Sequence, residues 1–247
     1  CQVHCHALVA LWHHPHHGWG LWDTGYAPRI WEATAQWPYR LYRFATPFHI
    51  QPQQAVVSQL ADFKLQASDI RYIIISHFHA DHIAGLHDFP DARIIVQQAA
   101  YDEISGLQGV KAIRRAFLPA LLPDNFLDRT WLIPSFSDSP LPVLGSTHDV
   151  FGDGLLQLID LPGHTKGHTG LLMRTTHGKI LFVADGAWMT QAIQQNCPPS
   201  PWTSFVCSDP RQMRETLHHL HEFSTIFPDI HLLPTHCPDI YAREFAI

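Results

Sequence analysis

One stretch limits the possible folds more than any other. Ile70-Arg71-Tyr72-Ile73-Ile74-Ile75-Ser76 runs directly into His77-Phe78-His79-Ala80-Asp81-His82. Three consecutive β-branched residues suit a strand buried on both faces, the kind found inside layered α/β sheets. In extended backbone residues i and i+2 point the same way, so His77 and His79 can converge on one ion at the strand's end. A turn into a helix beginning near His82 would aim Asp81 and His82 at a second point close by. Imidazoles and a carboxylate suit zinc, and manganese, iron and cobalt are chemically admissible. The competing reading is a solvated histidine-rich turn, because the chain holds 20 histidines against 16 lysines plus arginines. Three histidines and one aspartate packed into six residues after a buried strand favour the metal.

The rest of the chain alternates in the same way. Strands are expected over 6–12 and 19–22, joined by a surface hairpin through His13, His14, His16 and His17. Further strands are expected over 70–76, 94–96, 155–161, 170–174, 179–184 and 230–233. Helical spacing marks 53–63, 98–105, 111–118 and 210–223. Between them, residues 26 to 50 form an aromatic excursion interrupted by Pro28, Pro38 and Pro47. Cys197 to Trp202 reads as a proline-stiffened loop, and His218, His219 and His221 as a solvated helix face. Alternation of this kind implies a layered α/β fold. No composition break divides the chain, so one domain over 1–247 is expected.

Composition removes several functions. The net charge of −6 and only four lysines (Lys64, Lys111, Lys166, Lys179) argue against a nucleic-acid partner. No apolar run reaches the roughly 18 residues that span a bilayer, so a membrane partner is not expected. Five cysteines without CxxC spacing point to a reducing compartment. No signal-peptide pattern stands at Cys1.

The motif at 77–82 resembles the HxHxDH signature of the metallo-β-lactamase superfamily, and the downstream matches follow in order. Pro162-Gly163-His164-Thr165 with Gly167-His168-Thr169 is similar to that family's PGHTxGH turn. Val183-Ala184-Asp185-Gly186 resembles the segment that supplies a bridging carboxylate. Pro234-Thr235-His236 resembles the last ligand turn, and Asp23-Thr24-Gly25 an early turn that supports the site. The resemblance implies an α/β fold, a four-layer αβ/βα sandwich of two mixed β-sheets flanked by helices. It implies two divalent metal ions, zinc first, with His77, His79 and His164 on one ion. Asp81, His82 and His236 fall on the other, and Asp185 bridges. Cys237 beside His236 is a weaker candidate ligand, and His168 is expected to orient its turn. The implied reaction is hydrolysis, in which a hydroxide held between the metals attacks an electrophilic centre while Asp81 orients it and shuttles a proton.

The layout from Asp23 through the aromatic segment to HxHxDH is similar to the N-acyl homoserine lactone lactonases. That likeness implies lactone or ester hydrolysis, with Trp31, Trp37, Tyr39, Tyr42, Phe44 and Phe48 as an acyl-binding wall, a lid or simply core. Those lactonases carry a tyrosine three residues after the bridging aspartate. Here Trp188 stands there as the substrate-binding candidate, with an N–H donor but no hydroxyl. Alternatives are organophosphorus or other ester and thioester substrates, or a mononuclear-iron persulfide dioxygenase using His79, His164 and Asp185. A non-enzymatic metal-binding module is the third class. A small-molecule substrate, a cytoplasmic location of the bacterial type and a homodimer favoured by exposed aromatics complete the expectations.

Overall fold

The computed structural model describes residues 5–200 and 207–245. The chain divides into two compact units, one of Val9–Val96 with Ala100–Ile133, the other of Cys1–Leu8, Gln97–Ala99 and Pro134–Ile247.

The first unit is built on a five-stranded sheet in the order β1 (Ala10–His14), β2 (Gly18–Trp22), β3 (Ile70–Ile74), β4 (Arg93–Gln97), β5 (Thr130–Ile133). β1 and β2 are antiparallel, whereas β3 runs parallel to both β2 and β4. Ile73 and Ile74 are fully buried, as a two-sided buried strand requires. The helices of this region are α1 (Arg29–Ala33), α2 (Arg40–Ala45), α3 (Val56–Gln59), α4 (Ala80–Ile83), α5 (Gln98–Ile104) and α6 (Gly109–Ile113). The helix expected over 53–63 is instead broken. Short 3-10 turns flank α3, Ala55 is extended, and Phe63 is exposed. Val56 and Val57 lie inside α3, and the breaks fall on either side, at the extended Ala55 and at Lys64 in the left-handed region (φ +59°).

The aromatic excursion splits in two. Tyr42 is buried, and Tyr26 and Phe48 pack against this unit's core with ring centroids 5.5 Å apart, while Trp31, 40% exposed, covers Phe48 at 4.6 Å. Trp37 and Phe44 point outward, 73% and 77% exposed. The histidine hairpin also differs from a surface turn. His13 and His14 belong to β1, and His14 is buried with its Nδ1 accepting the backbone N–H groups of His16 and His17 at 3.2 and 3.3 Å. His14 thus closes the turn that it was expected to decorate.

The second unit carries a six-stranded sheet in the order β11 (His231–Pro234), β10 (Gly178–Ala184), β9 (Thr169–Thr175), β8 (Leu156–Asp160), β7 (Gly145–Asp149), β6 (Asp138–Leu141). β10 and β11 are parallel, and β6 to β10 pair antiparallel in succession, so this sheet is mixed too. Its helices are α7 (Thr190–Gln195), α8 (Pro210–Ile226) and α9 (Pro238–Phe245). α8 starts as its sequence dictates. Asp209 accepts from the N–H groups of Arg211 and Gln212 at 2.9 and 3.1 Å, and Pro210 occupies the first position, where no N–H is needed. Its Met213, Leu217, Leu220 and Phe223 are buried, while His218 and His219 are exposed as expected. No helix among the described residues is long and apolar enough to cross a membrane. Of the expected 197–202 loop, Pro201 and Trp202 lie outside the described residues.

Candidate metal centre

In the first unit, β3 delivers the histidine motif as its spacing predicts. His77 and His79 follow in non-helical backbone, and His79 (φ −67°, ψ 150°) is the residue before α4. The helical turn begins at Ala80, two residues earlier than expected, and carries Asp81 and His82. It is held by Ala80 N–H to Ala116 O and His82 N–H to His79 O, both 3.0 Å. His77, His79 and His82 are buried; the His77 and His79 rings meet at 4.5 Å and those of His77 and His82 at 4.1 Å.

A buried carboxylate orients this cluster. Asp23, at the end of β2 with φ +59°, receives Ser76 N–H at 2.8 Å on Oδ1. Its Oδ2 receives Ser76 Oγ–H and lies against His82 Nδ1, each at 2.7 Å. Thr24 adds its hydroxyl and N–H to the His82 carbonyl, at 2.9 and 2.8 Å. The Asp23-Thr24-Gly25 turn therefore supports the site from behind. With Nδ1 committed to Asp23, His82 turns Nε2 toward Asp81 Oδ2, 3.7 Å away.

In the second unit, β10 reaches Ala184 (φ +44°) after a register break between Phe182 and Ala184, and this left-handed kink throws Asp185 out of the strand. One Asp185 oxygen, Oδ2, lies 3.2 Å from His164 Nε2, and the other, Oδ1, lies 3.1 Å from His236 Nε2. His236 Nδ1 donates to the His6 carbonyl at 2.7 Å. That bond leaves Nε2 turned to the carboxylate, a position where a shared proton or a metal ion can stand between the two. The donor set therefore fits a metal, and the carboxylate's two-way division fits a bridge.

His168 fills the role expected of it. Its Nδ1 donates to Leu161 O at 3.0 Å and its Nε2 accepts Asp185 N–H at 3.1 Å, so neither nitrogen is left for an ion. Replacing His168 by alanine should strand a buried carbonyl and a buried N–H, costing about 2–5 kcal/mol. Calorimetry would show the lower melting temperature, and the loosened Asp185 should weaken metal affinity about 10–100-fold in a chelator competition.

Of three further neighbours, the sequence singled out Trp188 and Cys237 and missed Cys207. Trp188 donates its indole N–H to Asp185 Oδ2 at 3.2 Å and sets its ring edge-on to His164. Cys207 places Sγ 4.0 Å from His164 Nδ1; burial, then the Asp185 charge, pushes its thiol pKa up. Cys237 directs its sulfur to the N–H and hydroxyl of Thr190, each at 3.4 Å, at the start of α7. Burial raises that thiol, but the Thr190 and backbone donors outweigh it and bring the pKa below the usual value.

Two mixed sheets with flanking helices, buried histidines at strand ends and a carboxylate shared between imidazoles define a metal-binding class of α/β fold. Residues 5–214 match the metallo-beta-lactamase superfamily, and the chain belongs to it. It is 29% identical to the N-acyl homoserine lactonase AttM of Rhizobium radiobacter over 164 residues, 64% of this chain and 56% of that protein. The chain thus spans about half the length of the lactonase relatives that it matches. It is 26% identical to a probable metallo-hydrolase of Mycobacterium tuberculosis, over 98% of this chain and 78% of that one. Among solved structures, a mutant of the Bacillus thuringiensis lactonase AiiA with N-decanoyl-L-homoserine at its active site superposes with a TM-score of 0.67. The likeness covers 96% of this chain and 83% of that one at 22% identity, and it shows a shared fold.

Proposed function

We propose that the chain is a dinuclear metal-dependent hydrolase that opens lactones or cleaves esters, with N-acyl homoserine lactones as the leading substrate class. The division of Asp185 between His164 and His236 carries this reading, because two imidazoles on opposite oxygens of one carboxylate suit two ions. His77, His79 and His164 are assigned to one ion, Asp81, His82 and His236 to the other, and Asp185 to both. Zinc suits this set of nitrogen and oxygen donors. When bound, the ions supply a deprotonated water at neutral pH and polarise the carbonyl oxygen.

The chain's own groups do the rest. Asp81, partly exposed beside His82 Nε2, accepts the proton of the attacking water and returns it to the ring oxygen as the C–O bond breaks. The product is the open hydroxy acid. Asp23, Ser76 and His168 hold the ligands in their required tautomers and positions. Trp188 borders the substrate with its ring, its N–H being given to Asp185. The similarity to AttM over 164 residues supports the lactone assignment.

Metal analysis of the purified protein with titration of acid release from N-hexanoyl homoserine lactone tests the reading. About two zinc ions per chain and lactone opening are expected. Turnover of a neutral phosphotriester without lactone opening would keep the hydrolase and overturn the substrate. About one iron per chain with thiol-dependent oxygen uptake would overturn both.

A further inference from the structure

A cavity lies wholly within the second unit. It measures about 610 Å³, and Gln97, Phe136, Leu144, Asp160, Glu215 and His219 are among its walls. Its polar groups are unbalanced. Asp160, at the end of β8, stands exposed on the same wall. Partial burial lifts its carboxyl above the ordinary range, and the Gln97 side-chain amide opposes the shift. Gln97 is 8% exposed, and its side-chain carbonyl oxygen is buried with no hydrogen-bond partner. A buried acceptor without a donor costs on the order of 1–3 kcal/mol, so such atoms ordinarily have a partner. The other acid on the wall, Glu215, is already paired with Arg211 at 3.0 Å.

The cavity therefore offers two adjacent acceptors, one of them anionic, and apolar sides from Phe136 and Leu144. We propose that it binds an organic cation whose flat N–H face, of the amidinium or guanidinium kind, meets Asp160 and Gln97 while an apolar body lies against Phe136 and Leu144. Small-molecule sites commonly combine apolar walls with a few converging polar groups in this way. None of the proposed metal ligands takes part.

Isothermal titration of the metal-loaded protein with benzamidine tests this, with neutral benzamide as the isostere. Saturable benzamidine binding is expected, with benzamide at least about tenfold weaker. Asp160→Asn should weaken benzamidine about 10–100-fold, the worth of a charge-assisted hydrogen bond. Gln97→Glu should tighten it, and this second substitution keeps the test decisive if the first perturbs β8. Binding should survive removal of metal by a chelator. No saturable binding, equal binding of benzamide, an unchanged affinity in both variants, or loss of binding with the metal would each overturn the proposal.

Discussion

Asp185→Asn should lower the metal content from about two ions per chain to one or fewer and reduce lactone turnover about 10³-fold or more, roughly 4 kcal/mol of transition-state stabilisation. The argument is local. Both Asp185 oxygens have assigned tasks, Oδ1 beside His236 Nε2 and Oδ2 beside His164 Nε2 and the Trp188 indole N–H. Asparagine cancels the negative charge and turns one oxygen into an N–H donor that cannot ligate. Whichever way the amide is oriented, one imidazole then faces a donor where it needs a shared anion. The backbone N–H of residue 185 still reaches His168, so the turn and the fold should survive. Circular dichroism unchanged, metal lost and turnover lost is the expected triple. Wild-type turnover with two metals retained would remove Asp185 from the bridge and with it the dinuclear reading.

The parts of this protein that were legible in its sequence are those where one local rule acts without competition. The Ile73-Ile74-Ile75 run had to be a buried strand, and the histidines after it had to emerge together at its end. The helical spacing from Pro210 placed the start of α8, where a residue lacking N–H suits the first turn and the Asp209 carboxylate caps it. β6 was missed for a physical reason. Asp138-Ser139-Pro140-Leu141 has neither alternation nor β-branching, and its proline is tolerated because the strand is the last in its sheet. α9 was passed over because its apolar face is short. His14 was misjudged because a cluster of histidines reads as polar surface, whereas its ring accepts two backbone N–H groups and becomes buried through them.

The candidate site divides along the same line. The proposed ligand positions are recognisable from order and spacing, since most lie in the turns that follow strands, with Asp81 and His82 on the short helix α4 after β3. The groups behind them depend on which atoms meet across long sequence separations, and no local pattern records that. Asp23 reaches His82 from 59 residues away, and His168 receives the Asp185 N–H across 17. Trp188 shows the difference most clearly. Its position after Asp185 suggested a substrate donor, but its N–H turns back to the carboxylate three residues earlier.

Gly163→Ala should be the most damaging conservative change in the second unit. Gly163 has φ +121°, which side-chain-bearing residues rarely adopt, and an added Cβ would stand 2.1 Å from the Met213 nitrogen and 2.5 Å from its Cα. Those are backbone atoms of α8 and cannot rotate away. The turn is fastened to the same helix by Asp209 N–H to Gly163 O at 2.9 Å, Ser208 N–H to His164 O at 2.8 Å and the Thr216 hydroxyl to Pro162 O at 2.6 Å. Relief of the clash therefore requires either the helix start or the His164 turn to move. Backbone strain and overpacking together should cost about 3–5 kcal/mol, lowering the melting temperature by roughly 6–20 °C for a chain of this size. Gly152→Ala separates strain from clash, because Gly152 also has a positive φ, +79°, but its added Cβ meets nothing within 4 Å. That variant should lose only about 1 kcal/mol and keep its metal. Gly163→Ala should lose metal as well, since His164 rides on the displaced turn, and equal melting temperatures in the two variants would refute the packing argument.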